Sequence, residues 1–104
     1  MIAMAVTAFG PPEVLQPIEL AAPNAGSGEV RVRVRAAGVM PFDCGLRRGE
    51  GPAGLAPALP VVPGNEFAGV VDQIGDGAEG FAMGDEVLGF TTLNGYAEYV
   101  TVRT

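Results

Sequence analysis

Val30-Arg31-Val32-Arg33-Val34-Arg35-Ala36 decides the fold. Apolar and charged residues alternate along it with a period of two, and successive side chains of an extended chain point to opposite faces. The run predicts a half-buried strand with its valines inward and its arginines in water. Gly38 ends it. Downstream, Pro41 to Arg48 predicts two turns of helix, because proline is tolerated at a first helical position. Gly49 to Pro60 is a Gly/Ala/Pro loop whose one charge is Glu50. Val61-Val62-Pro63-Gly64 leads into a strand over Phe67 to Ile74, in which Gly69 marks a bulge or a close backbone approach. Gly75-Asp76-Gly77 is a turn, and Asp85 to Phe90 and Tyr96 to Val102 are the last strands, parted by Asn94-Gly95.

Upstream, Pro23 to Gly28 has turn chemistry. Val14 to Leu20 is extended, with Pro17 confining it to an edge or bulge. Ile2 to Phe9 is a first strand stopped by Gly10-Pro11-Pro12. Six or seven short strands and one short helix result, the pattern of a small mainly β barrel or sandwich. Residues 1–104 form one domain without repeat or linker.

Composition narrows the chemistry. Glycine (16) and proline (9) are too frequent for a helical bundle. The chain has no His, Lys or Trp and a single Cys, so it cannot form an internal disulfide, a Cys/His zinc tetrahedron, a Schiff base or a His-dependent triad. The net charge of −6 argues against nucleic acid and anionic membrane as partners. Met1 to Phe9 is apolar without a basic leader, and no stretch reaches the ~18 apolar residues of a membrane span. A cytoplasmic domain is expected.

Four features could carry function. Gly75, Gly77 and Gly80 spell Gly-x-Gly-x-x-Gly, but a phosphate site needs a helix to follow. Phe81-Ala82-Met83-Gly84-Asp85 has no helical period, so a hairpin is expected. The arginines at 31, 33 and 35 could hold an anion; the stronger expectation is a wet face paired with acids on a neighbouring strand. Cys44 lies between Asp43 and Gly45, and Asp43 disfavours a reactive thiolate while Arg47 and Arg48 favour one; a buried or merely tolerated thiol is expected. Asp43 and Glu66 are the carboxylates in the least polar surroundings, open to general acid or base work after desolvation. The plainer roles are local bonds from Asp43 to helix amides and a structural hydrogen bond from Glu66 at a strand entrance. Tyr96 and Tyr99, three apart, would face opposite sides of a strand, with at least one in the core.

Further motifs occur in register. They are Ala8-Phe9-Gly10-Pro11-Pro12-Glu13-Val14-Leu15, Gly28-Glu29-Val30 through Ala37-Gly38-Val39, and Pro63-Gly64-Asn65-Glu66-Phe67-Ala68-Gly69-Val70-Val71. Ile74-Gly75-Asp76-Gly77, Phe81, Gly84-Asp85-Glu86-Val87 and Gly95-Tyr96-Ala97-Glu98-Tyr99-Val100 complete the set. Together they resemble the N-terminal, GroES-like domain of medium-chain dehydrogenases/reductases, nearest to the zinc-independent quinone oxidoreductase branch. The resemblance implies a partly open β-barrel with one short helix. Zinc-dependent members carry Cys and His where this chain has Met40 and Asn65, and only Glu66 of that pattern survives, so no metal is expected. In zinc-free relatives NADPH delivers hydride to a quinone, an enone or a similar activated acceptor. Such enzymes often place a cofactor-contacting Asn where Met40 stands, and Tyr residues shortly after the Asp matching Asp43, where this chain has Gly45 and Gly51.

The resemblance makes Met40, Phe42, Asp43 and Glu66 candidates for the substrate pocket, Met40 a candidate cofactor contact, and Gly49 to Pro60 part of an apolar wall. It assigns no catalytic residue. Family members run to roughly three times this length. Their nucleotide-binding Rossmann domain would follow Thr104, so this chain alone is expected neither to bind NADPH tightly nor to turn over substrate. Expected partners are a small-molecule substrate, the missing nucleotide-binding domain and, in a homodimer, a second copy. A competing reading is a stand-alone GroES-like binding or assembly module without catalysis, its Gly49 to Pro60 loop meeting the partner. An anion-binding module using the arginine row is a third.

Overall fold

The computed structural model describes residues 1–50 and 58–104. Most of the expected loop from Gly49 to Pro60 therefore lies outside the described residues. Six strands and one α-helix are seen among those described. They are β1 (Ile2–Val6), β2 (Leu15–Glu19), β3 (Glu29–Ala37), α1 (Pro41–Arg48), β4 (Glu66–Ile74), β5 (Glu86–Phe90) and β6 (Tyr99–Arg103), with a 3-10 turn at Pro12–Val14. β1 and β2 form an antiparallel pair, and the others an antiparallel sheet in the order β5-β4-β3-β6. Bridges Ala3–Ala97 and Val6–Val61 tie the pair to the rest without closing it. This is the partly open, mainly β architecture that the sequence implies.

The alternation in β3 builds the main core. Val30 and Val32 are buried with Phe67 and Val71 of β4 and Val100 of β6. The pattern weakens toward the end of the strand: the register shifts between Val34 and Ala36, and Ala36 is exposed. An irregularity in one strand turns the following side chains away from the face the alternation assigns them. Gly69 sits opposite Val34, where a Cβ would lie 2.1 Å from the Arg33 carbonyl oxygen, so the close backbone approach is real. On the outer face, Arg31 meets Asp72 of β4 at 2.9 Å and lies 4.9 Å above the Tyr99 ring. Arg33 and Arg35 are exposed. The paired, wet-face reading of the row describes it better than an anion site.

Two boundaries differ from expectation by more than one residue, and one connection is as expected. The first strand stops at Val6: Thr7 still bonds the Val14 carbonyl in register, but its partner segment is there already the 3-10 turn Pro12–Val14. The last begins at Tyr99, since Tyr96 bonds the Pro63 carbonyl and Ala97 bridges to β1. Segment 75–85 joins β4 to β5 without a helix, so Gly75, Gly77 and Gly80 form a connection rather than a phosphate cradle.

Candidate functional site

Helix α1 occupies Pro41–Arg48, as expected. Pro41 opens it with a preset φ, Arg47 and Arg48 meet its negative end, and Gly49 closes it at φ 84° in the left-handed region. Asp43 organises its start. Its Oδ2 accepts the Met40 N–H at 2.9 Å, and its own N–H donates to the Met40 carbonyl, also at 2.9 Å. This reciprocal pair satisfies amides that a helix N-terminus otherwise leaves unpaired. The local role expected of Asp43 is therefore present.

A second donor comes from far along the chain. Tyr96 Oη donates to Asp43 Oδ2 at 2.8 Å. Asp43 is only 4% exposed, and no protein donor among the described residues reaches its Oδ1. Burial, followed by the bond to Asp43 and its negative charge, pushes the Tyr96 hydroxyl above its ordinary pKa of 10.0. The tyrosine is held by two glycines. Gly95 donates to the Gly64 carbonyl and Tyr96 to that of Pro63, and a Cβ on Gly64 would lie 2.7 Å from both Gly95 Cα and Tyr96 Cδ1. Gly64 also has φ +109°, so only glycine fits without strain.

The neighbouring Asn65 is buried. Its Nδ2 donates to the Thr91 and Thr92 carbonyls at 3.3 and 2.5 Å, and its carbonyl accepts from Thr91 N–H at 2.7 Å. It fixes the chain between β5 and β6. Glu66, one residue on, is exposed, and its carboxylate makes no hydrogen bond among the described residues. The bond at that strand entrance is made by backbone, Gly38 N–H to Glu66 carbonyl at 3.1 Å. The expectation that Glu66 sits in apolar, desolvated surroundings is corrected: at the first position of β4 its side chain projects over an open groove.

Two hollows separate the expected site residues. A cavity of about 90 Å³ is lined by Leu15, Val39, Asp43, Cys44, Arg47, Pro63 and Tyr96. An open groove of about 620 Å³ runs past Gly38, Glu66, Phe67, Leu88 and Phe90. Met40 is tied to Asp43 by hydrogen bonds but lines neither hollow, and Phe42 lines neither. Met40 and Phe42 are both half-buried. The residue the sequence reading placed least well is Tyr96, taken there only as a core candidate. Tyr96 and Tyr99 are both half-buried, one on Asp43 and the other under Arg31.

Catalytic zinc draws on thiolate, imidazole and carboxylate ligands. Met40 offers a thioether and Asn65 a neutral amide, neither of them among those ligands, which leaves Glu66 as the one donor of the usual kind at the three positions. No group of three His, Cys, Asp or Glu gathers among the described residues. The side chains present do not fit such a metal.

An open antiparallel β domain with one short helix, its PGNEF and NGYAEY segments packed back to back, defines a GroES-like domain of the medium-chain dehydrogenase/reductase kind. Residues 26–104 match the family described as alcohol dehydrogenase GroES-like domain, and the chain belongs to it. Rat quinone oxidoreductase is 40% identical over 101 residues, covering 95% of this chain and 30% of its own length. The crystal structure of human synaptic vesicle membrane protein VAT-1 homolog-like protein superimposes with a TM-score of 0.94 at 34% identity, over 99% of this chain and 33% of that one. Escherichia coli quinone oxidoreductase complexed with NADPH gives 0.88 at 29% identity, over 99% and 31%. A cobalt- and zinc-bound alcohol dehydrogenase from Pyrobaculum aerophilum gives 0.83 at 33%, over 99% and 39%. The chain spans about 30% of the length of the quinone oxidoreductases it matches.

Proposed function

We propose that this chain is the acceptor-side domain of a zinc-independent, NADPH-dependent oxidoreductase acting on a quinone, an enone or a similar activated acceptor. The observation that carries the reading is Asn65. Inside a quinone oxidoreductase-like domain, the residue at the family's metal-ligand position is buried and bonded to Thr91 and Thr92. Likeness to the Escherichia coli enzyme, solved with NADPH, supports the cofactor. Likeness to a zinc-bound alcohol dehydrogenase supports the fold and not the metal, because the donor set differs.

The described residues contain no glycine-rich strand-turn-helix phosphate site: β4 runs through a turn into β5, and β3 passes into α1 over Gly38-Val39-Met40, which has one glycine and a proline at the first helical position. Hydride chemistry therefore belongs to a second domain. The part assigned to these residues is shape and orientation. Met40 and Phe42 are carried on the helix entrance that Asp43 fixes, and Glu66 stands at the mouth of an apolar groove. No helix among the described residues is long and apolar enough to cross a membrane, and the reading places the enzyme in the cytoplasm.

The test uses the gene product in which these residues are read through into whatever follows them. NADPH oxidation is followed with 1,4-naphthoquinone, and NAD⁺ reduction with primary alcohols, before and after dialysis against a chelator. Quinone-dependent NADPH oxidation that survives the chelator is expected. Alcohol oxidation that the chelator abolishes would overturn the reading. So would a reading frame that stops at Thr104 and yields a ring-like oligomer, which would establish the stand-alone module instead.

A further inference from the structure

The outer edge of β5 has no strand beside it among the described residues. In an antiparallel ladder, alternate residues bond the neighbouring strand and those between them point away. Asp85 accepts the Val71 N–H, and Thr91 donates to the Asn65 carbonyl. Val87 and Gly89, paired with Gly69 and Phe67, therefore face β4. The N–H and C=O groups of Glu86, Leu88 and Phe90 point outward. Proteins usually blunt such an edge with proline, basic side chains or a bulge. Residues 86–90 contain no proline, lysine or arginine, and their pairing with β4 has no register shift. β2, by contrast, contains Pro17, and β6 ends on Arg103. Leu88 and Phe90 also stand largely in water, on one face of the strand.

We propose that this edge pairs with the same edge of a second copy, antiparallel about a twofold axis through Leu88. Outward residues can bond only outward residues, which leaves few registers. Centring on Leu88 sets Leu88 against its own copy and Glu86 against Phe90, so every outward residue of both strands is bonded. Centring on Glu86 would instead oppose two carboxylates. With Leu88 at the axis those carboxylates lie four residues apart along the strands, about 14 Å, beyond the ~8–10 Å over which ordinary salt leaves charges visible to one another. Each copy carries a net charge of −6, so added salt strengthens the pairing. Five residues a side fall short of the roughly 20–30 of a standard interface, which sets a dissociation constant on the order of 0.1–1 mM. A self-complementary contact of this kind closes at two copies. It draws on nothing in the proposed reaction and stands or falls apart from it.

Sedimentation equilibrium and nuclear magnetic resonance on the 104-residue chain, from about 20 μM to 2 mM, span that constant. A monomer–dimer equilibrium that tightens with salt is expected. As concentration rises, amide exchange should slow at Glu86, Leu88 and Phe90 and stay unchanged at Val87 and Gly89, which β4 already protects. Leu88→Lys puts like charges on either side of the axis and should weaken dimerisation about tenfold or more, with the fold intact because the side chain is exposed. Leu20→Lys makes the same change at an exposed residue just after β2 and should leave dimerisation unaltered. A monomer throughout the range would overturn the proposal. Equal weakening by Leu20→Lys would do so too, by showing unspecific adhesion. Growth beyond two copies would overturn it in favour of a head-to-tail contact. Concentration-independent protection of Glu86, Leu88 and Phe90 in the read-through gene product would give the edge to another stretch of the same polypeptide, and would likewise overturn it.

Discussion

The corner around α1 and the free edge at β5 are both rich in apolar residues, yet the fold treats them in opposite ways. At the corner, Val6, Leu46 and Val61 are almost fully buried, and even the carboxylate of Asp43 is enclosed. At the edge, Leu88 and Phe90 are 87% and 70% exposed. The corner draws on segments remote in sequence. Gly10 exchanges hydrogen bonds with Arg47, Val6 with Val61, and Tyr96 reaches Asp43 over a glycine-to-glycine contact. β5 has one strand neighbour, β4. Burial here follows the number of segments that converge on a place rather than the hydrophobicity of any one of them.

The sharpest way to break the corner is at its closest contact. Gly64→Ala puts a methyl group 2.7 Å from Gly95 Cα on a backbone with φ +109°. A loss of about 3 kcal/mol or more is expected in urea denaturation, from strain and displaced backbone together. Asp43→Ala comes next. It strands the Met40 N–H and the Tyr96 hydroxyl, so about 2–3 kcal/mol should be lost, as for other hydrogen bonds to a charged acceptor. Asp43→Asn, which keeps one acceptor oxygen, should lose clearly less.

The same contrast shows what could be read in the sequence. The period-two alternation located β3, Pro41 and the glycine after Arg48 bounded α1, and Asp43 near the helix start suggested its bond to the backbone. Each of these signals is local. The link from Tyr96 to Asp43 crosses 53 residues, and the contact of Gly64 with Gly95 that sets it up leaves no local signal in either segment. Residues 96–98 were read as strand because β propensity does not say which partner a segment will bond, and here the partners are Pro63 and β1. Glu66 was expected in apolar surroundings because its sequence neighbours are apolar; exposure is decided by what packs over β4, which its neighbours in sequence do not encode.

A smaller change isolates one bond of the corner. Tyr96→Phe removes the hydroxyl and leaves the ring, so about 1 kcal/mol should be lost near neutrality. The pH dependence has a definite sign. The fold raises the Tyr96 pKa above 10.0, which means that it favours the neutral phenol. The resulting stability is fully present below that value and is lost as pH rises through the higher folded one. Melting curves from about pH 8 to 11 should therefore show the unaltered chain declining faster than Tyr96→Phe above pH 10. A gap that stays constant would mean that the hydroxyl ionises as freely in the fold as outside it.

The edge supplies the smallest effect. Leu88 and Phe90 stand on alternate positions of β5, so both project from the same face, and both are mostly in water. Replacing either by Ser removes little buried area, and at the usual ~25 cal/mol per Å² little stability goes with it. Leu88→Ser and Phe90→Ser should each change the unfolding free energy by no more than about 0.5 kcal/mol. Both should lower the tendency to self-associate, because they shrink an apolar patch. Phe90 is the more demanding case, since it is less exposed than Leu88 and so retains more contact. A loss of about 2 kcal/mol at Phe90, the size of a fully buried apolar side chain, would show that the edge helps to hold β4 in place and that the two regions differ less than their exposure implies.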